Sequence, residues 1–215
     1  AMLIWESVPS QLAKENKKFC YSVVNKRARA REYEDALQWL YNAKLLVKVY
    51  HSTAPKLPLA SYDDASNASA FKLYLADVGL LRKLARLDSS ILLEGNRLFE
   101  EFKGSLSENY VLEALTPQFD TSLGYWAIPP DLEVDFLLQR KNDIIPIEVK
   151  SGINVRAHSL KKYKEKYKDN VKIRARFSME NLELNGDILN IPLFLADYAD
   201  ELIEIALQKL RTEDL

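Results

Sequence analysis

The stretch Glu133–Lys150 constrains the fold more than any other part of the chain. Residues alternate through Glu133–Arg140, with Val134, Phe136 and Leu138 on one face and Glu133, Asp135 and Leu137 on the other. After the charged turn Arg140–Asp143 the alternation resumes, Ile145, Ile147 and Val149 against Pro146, Glu148 and Lys150. A period of two is the mark of a strand, so the segment predicts two adjacent strands joined by a tight turn. Charged side chains on an otherwise apolar strand are costly unless they are paired, hydrated or holding a metal. Carboxylates on adjacent strands, here Asp135 and Glu148, form an oxygen-rich pair suited to Mg²⁺ or Mn²⁺. The Lys150 ammonium beside them can position water and stabilise charge on a phosphate under attack. A plain Glu148–Lys150 ion pair on an edge strand is the structural alternative.

The elements around this hairpin read as a mixed α/β arrangement. Leu98–Leu115 predicts a helix whose continuity Gly104 challenges; Glu108 lies close to the edge of its apolar face. Thr121–Ile128 predicts a strand ended by Pro129–Pro130. Val155–Lys168 predicts a helix packed through Leu160, Tyr163 and Tyr167. Five lysines surround that face, and Lys161 and Lys164 are candidate phosphate contacts; a solvated helix surface is the alternative. Val171–Phe177 predicts a strand, and Leu193–Leu210 a closing helix with Leu195, Ala199, Leu202, Ala206 and Leu210 inward.

The front of the chain differs. Leu3–Glu15 is partly helical by pattern, and Pro9 places the start of its regular part near that proline. Phe19–Asn25 and Arg31–Ala43 follow as helices, the latter with Tyr33, Leu37, Leu40 and Tyr41 on one stripe. Leu45–His51 and Phe71–Leu75 predict strands, and Asp77 caps a helix through Leu87. Three short helices followed by a strand pair is the order of a winged helix-turn-helix. Lys26, Arg27, Arg29 and Arg31, just before its third helix, are candidate nucleic-acid contacts. Glu32, Glu34 and Asp35 on that helix oppose phosphate and fit a protein-docking role instead.

Charge divides the chain as well. Residues 1–87 hold 14 Lys and Arg against 8 Asp and Glu, and residues 88–215 hold 16 against 23, giving +6 and −7. With 215 residues there is room for one large domain or two small ones, and the expected boundary falls at 87/88. A hydrophobic share of 47% excludes wholesale disorder. The single cysteine, Cys20, excludes an intramolecular disulfide and a Cys-rich zinc site, and two histidines argue against a multi-His site. No apolar run approaches the ~20 residues of a membrane helix and no leader pattern opens the chain, so the expectation is a cytoplasmic protein without a membrane partner. Ala1 before Met2 reads as a residue left by a tag; Met2 is then either the natural start or internal to a longer protein.

Asp135, Glu148-Val149-Lys150 and the helix bearing Glu108 together resemble the PD-(D/E)xK nuclease superfamily. Ile4–Leu12, Phe71–Leu81, Lys103–Val111, Glu133–Phe136 and Ile147–Gly152 bring the chain closer still to the nuclease-like C-terminal portion of bacterial and archaeal AAA+-type ATPases. The resemblance implies an α/β (α+β) fold, with a winged-helix-like unit over 1–87 and a restriction-endonuclease-like core over 88–215. It implies Glu108, Asp135, Glu148 and Lys150 as catalytic residues, the three acids as ligands of Mg²⁺ or Mn²⁺, and nucleic acid as substrate. Val134 stands where the superfamily has proline. No G-x-x-x-x-G-K-[ST] can be written from the six glycines, so ATP binding does not carry over, and the ATPase domain is absent from these residues. A catalytically inactive nucleic-acid- or protein-binding module of such an ATPase is the competing reading, and a purely structural domain is the third.

Overall fold

A computed structural model describes residues 1–14, 17–27, 29–63, 70–88, 90–91, 100–121, 123–129, 132–152 and 158–213. The chain folds as a mixed α/β protein in two compact units, one of residues 1–50 with 64–113 and the other of 51–63 with 114–215. The segment 51–63, which a division at 87/88 leaves with the front of the chain, packs in the second unit. There the Leu59 N–H donates to Gln139 Oε1 at 2.7 Å, and Leu59 joins the core.

In the first unit, α1 (Met2–Leu12), α2 (Tyr21–Val24) and α3 (Ala30–Asn42) precede β1 (Leu46–His51) and β2 (Phe71–Leu75). β1 and β2 pair antiparallel, Leu46 opposite Leu75 and Tyr50 opposite Phe71. The predicted start of α1 near Pro9 is corrected: the helix begins at Met2 and carries Pro9 inside. An interior proline costs about 3 kcal/mol. Burial of Ile4, Val8 and Leu12 on one stripe offsets it, at roughly 1.5–3 kcal/mol per side chain. Helix α4 (Val78–Leu84) starts as expected, with Asp77 Oδ1 accepting from the Leu80 N–H at 2.7 Å. Helix α5 (Glu100–Leu115) runs unbroken through Gly104; the residues at 98 and 99 lie outside the described set, as do 64–69 of the polar connector.

The second unit holds β3 (Gly124–Ile128), β4 (Leu132–Arg140), β5 (Asp143–Val149), α6 (His158–Lys166), β6 (Arg174–Ser178), β7 (Glu183–Asn185), β8 (Ile188–Pro192) and α7 (Ala199–Glu213). Its strands run in the order β3-β4-β5-β6-β8-β7. β3, β4 and β5 pair antiparallel, whereas β5, β6 and β8 are parallel neighbours. The start of the predicted helix at Val155 lies outside the described residues. One core cluster joins Leu59, Trp126, Val134, Leu137, Leu160 and Tyr163. Trp126 meets Tyr163 edge-on at 5.1 Å.

The closing helix is corrected at its start. Leu193–Tyr198 is a 3₁₀ segment, and the α-helix starts only at Ala199. Ala199 and Ala206 are buried as expected and Ile203 and Leu207 are buried with them, while Leu195, Leu202 and Leu210 are half-buried.

Gly186 turns β7 into β8 with φ +56°, and nothing lies within 4 Å of where its Cβ would be. Gly186→Ala is expected to cost about 1–2 kcal/mol through the left-handed backbone alone, read as a lower denaturant midpoint. The Tyr163 hydroxyl is buried without a hydrogen-bond partner, and burial raises its pKa, Tyr167 adding to the effect. Tyr163→Phe removes an unsatisfied polar atom at nearly constant shape. It is expected to raise the midpoint by about 1 kcal/mol of stability at unchanged denaturant slope.

Candidate functional site

The pairing of Phe136 with Ile147 and of Leu138 with Ile145 sets the site. It gathers Phe136 and Leu138 of β4 with Ile145 and Ile147 of β5 on one face. Glu148, one step beyond Ile147, lies on the other face. Strand β4 has one extra residue against β3 between Val134 and Leu137, so Asp135 is placed by its hydrogen bond and not by the alternation. Asp135 Oδ2 accepts from the Val149 N–H at 2.8 Å, which ties the carboxylate to the next strand. The Lys150 N–H donates in turn to the Phe177 carbonyl on β6 at 2.8 Å.

Glu148 is 3% exposed. Its Oε1 receives the Lys150 ammonium at 2.7 Å, while Oε2 is buried with no hydrogen-bond partner. A buried carboxylate oxygen left unpaired is costly, and a hard cation satisfies it. Mg²⁺ is commonly held by one or two carboxylates with water completing its shell, so the Asp135 and Glu148 donor set fits such an ion. Among the described residues no group of three or more His, Cys, Asp or Glu side chains is gathered as a metal site.

Glu108 lies in the first unit, on α5, and its carboxylate is already closed. Lys17 pairs with Oε1, and the Tyr74 hydroxyl donates to Oε2 at 2.9 Å. Lys72, 1% exposed in the middle of β2, adds a second positive charge. Burial pushes the Glu108 pKa up, but the fields of Lys17 and Lys72 and the two hydrogen bonds outweigh it and hold the pKa below the ordinary value. These donors leave no oxygen ready for a metal, so the donor chemistry at Glu108 does not fit the ion as that at Glu148 does. The pattern F-K-L-Y-L could have flagged this network, because Lys72 and Tyr74 fall on one face of a strand buried at every position.

The basic candidates separate. Lys26, Arg27, Arg29 and Arg31 are all exposed at the start of α3. Lys161 is exposed on α6, whereas Lys164 is engaged by Asp187 at 2.7 Å, a carboxylate that Arg174 also grips. Lys166 sits 5.7 Å over the Trp126 ring. The sequence reading passed over Arg174 and Arg176, although R-A-R-F on a strand puts both on one face.

A depressed carboxylate contributes stability that is present above its unfolded pKa and is lost as pH falls through the folded one. The Glu108 network is therefore expected to weaken as pH drops below the ordinary glutamate range. Glu108→Gln should remove that part of the acid dependence. By leaving Lys72 poorly compensated, it should also cost about 3–5 kcal/mol at neutral pH. Urea unfolding of both proteins between pH 3 and 7 measures it.

Among the described residues no helix is long and apolar enough to cross a membrane. No curated protein and no solved structure matches the chain. Residues 1–91 are similar to a family described as Domain of unknown function (DUF8612). Residues 103–194, which include Glu108 and the Asp135–Glu148–Lys150 set, are similar to Domain of unknown function (DUF4143), a domain associated with the C-terminal regions of AAA-type ATPases.

Proposed function

We propose that this ATPase-associated chain is a divalent-metal-dependent nuclease that hydrolyses phosphodiesters of DNA or RNA. The carrying observation is the buried, partnerless Glu148 Oε2, beside Lys150 and one residue before the Val149 N–H that binds the Asp135 carboxylate. The element order supports the restriction-endonuclease-like reading: a helix, three antiparallel strands, a crossover helix and a parallel strand. The two family similarities on either side of residues 92–102 support separate front and back parts, the front one winged-helix-like.

Asp135 and Glu148 would hold the ion. When bound, Mg²⁺ or Mn²⁺ supplies Lewis acidity and an activated water. The Val149 N–H keeps the Asp135 carboxylate oriented, and Lys150 neutralises charge at the phosphate under attack. The exposed basic residues ahead of α3, with Lys161, offer backbone contacts. The second reading, an inactive binding or regulatory module of the ATPase, is favoured by Glu108, whose closed ion pair leaves the metal without the third acid.

Metal that binds only the folded chain raises its melting temperature, by about 2.7 kcal/mol of stability at a hundredfold excess over Kd. Mg²⁺ or Mn²⁺ is expected to produce this rise and to support cleavage of DNA or RNA; Ca²⁺ is expected not to support cleavage. Glu148→Gln should abolish both the rise and the cleavage. A wild-type chain with no metal-induced shift and no cleavage across a broad DNA and RNA panel would decide for the binding module.

A further inference from the structure

The register of the second unit makes Glu148 the first of a row. Glu148 on β5 is opposite Arg176 on β6, Arg176 is opposite Asn190 on β8, and Asn190 is opposite Glu183 on β7. Four polar residues thus cross the sheet from β5 to β7 on one face, spaced about 4.8 Å apart from strand to strand. Beyond the carboxylate end, the row opens into a cleft of about 190 Å³ lined by Arg176, Glu183, Asn185, Ile188 and Asn190.

Arg176 is held unusually firmly. Its Nε donates to Asn190 Oδ1 at 2.9 Å, and its Nη2 to Glu180 Oε2 at 2.9 Å. Asn190 is itself fixed: its Oδ1 accepts from Ser178 Oγ at 2.7 Å, and its Nδ2 donates to the carbonyls of Glu180 and Asn181. The two ends of the Arg176–Glu180 pair differ. The Arg176 side chain is 15% exposed and anchored on a buried asparagine, whereas that of Glu180 is 41% exposed. The guanidinium is the fixed partner and the carboxylate the exchangeable one, because a solvent-facing ion pair contributes little and is given up easily.

We infer that Arg176 is a phosphate-binding residue for a nucleic-acid strand, and that Glu180 occupies its guanidinium until a backbone phosphate displaces it. Resting on the nuclease reading of the neighbouring site, this adds the residue that grips the strand one β-strand away from Glu148. A planar fork held at fixed orientation suits bidentate recognition of a phosphate, which a lysine cannot reproduce. The Glu180 carboxylate imitates the ligand in charge and shape.

The two members of the pair then have opposite effects on binding, which a structural ion pair does not. Binding of a fluorescein-labelled single-stranded DNA is measured by anisotropy in EDTA at several salt concentrations, so the outcome does not depend on metal or cleavage. Arg176→Gln is expected to weaken binding by about tenfold or more and to lower the salt slope by about one. Glu180→Gln is expected to tighten binding several-fold. Arg176→Lys, which keeps the charge and spares the fold, should fall between Arg176→Gln and wild type. Weakening by both Arg176→Gln and Glu180→Gln, an unchanged salt slope, or no binding by the wild type would overturn the inference. Binding of inorganic phosphate without binding of the oligonucleotide would also overturn it, in favour of a small-anion site. Absence of a metal-induced melting shift would instead count against the nuclease reading alone.

Discussion

The pleat of β4 and β5 is the constraint on which the second unit rests. Phe136 and Ile147 must meet on the face that also buries Leu138 and Ile145. Because the period is two, that demand delivers Glu148 to the other face with Leu137, Pro146 and Ile144, and a slip of one residue would reverse both sets at once. The parallel neighbours inherit the same phase, which aligns Arg176 and Asn190 with Glu148. A polar row across a sheet otherwise rich in buried Ile, Leu and Val is thus a by-product of hydrophobic registration. What it costs to bury is met locally at Arg176, by Asn190 and Glu180, and only in part at Glu148, where Lys150 pairs with one of the two oxygens.

The first unit treats charge differently. Lys72 sits within a strand buried at all five positions, and Lys17, Tyr74 and Glu108 lie around it. Breaking such a group leaves an uncompensated charge, whereas an apolar replacement of the whole group need not destabilise. The network therefore fixes which partners α5 and β2 choose more than it adds to stability. Asn109, next along the helix, reinforces the choice by exchanging two hydrogen bonds with the Leu75 backbone, both at 3.0 Å.

Much of this was legible in the sequence, and the misses have physical causes. Strands β4 and β5 and helix α3 carry strong periods, and their positions follow from pattern alone. Pro9 misled because a local penalty was weighed without the tertiary burial of Ile4, Val8 and Leu12. The closing helix starts later than its pattern, since no residue pattern marks Leu193–Tyr198 as 3₁₀ rather than α. Strand β7, three residues long, is too short for any period to show. At the candidate site, alternation brought out Asp135, Glu148 and Lys150. The partners of Glu108 lie 91 and 34 residues away, and no spacing rule reaches that far.

The excursion of residues 51–63 has a consequence for how this protein can be taken apart. Leu59 belongs to the same core as Trp126 and Val134, and Asn170 donates to the Pro55 carbonyl at 3.2 Å. Each folded unit is therefore assembled from two separated stretches of chain. The two family similarities, in contrast, run one after the other along the sequence. No single cut releases a self-sufficient half: a fragment beginning at residue 88 would leave a hole where Leu59 belongs and strip the Asn170 amide of its acceptor. Exchanging one end of the chain at a single point would meet the same obstacle, because either unit would then be built from two unmatched stretches.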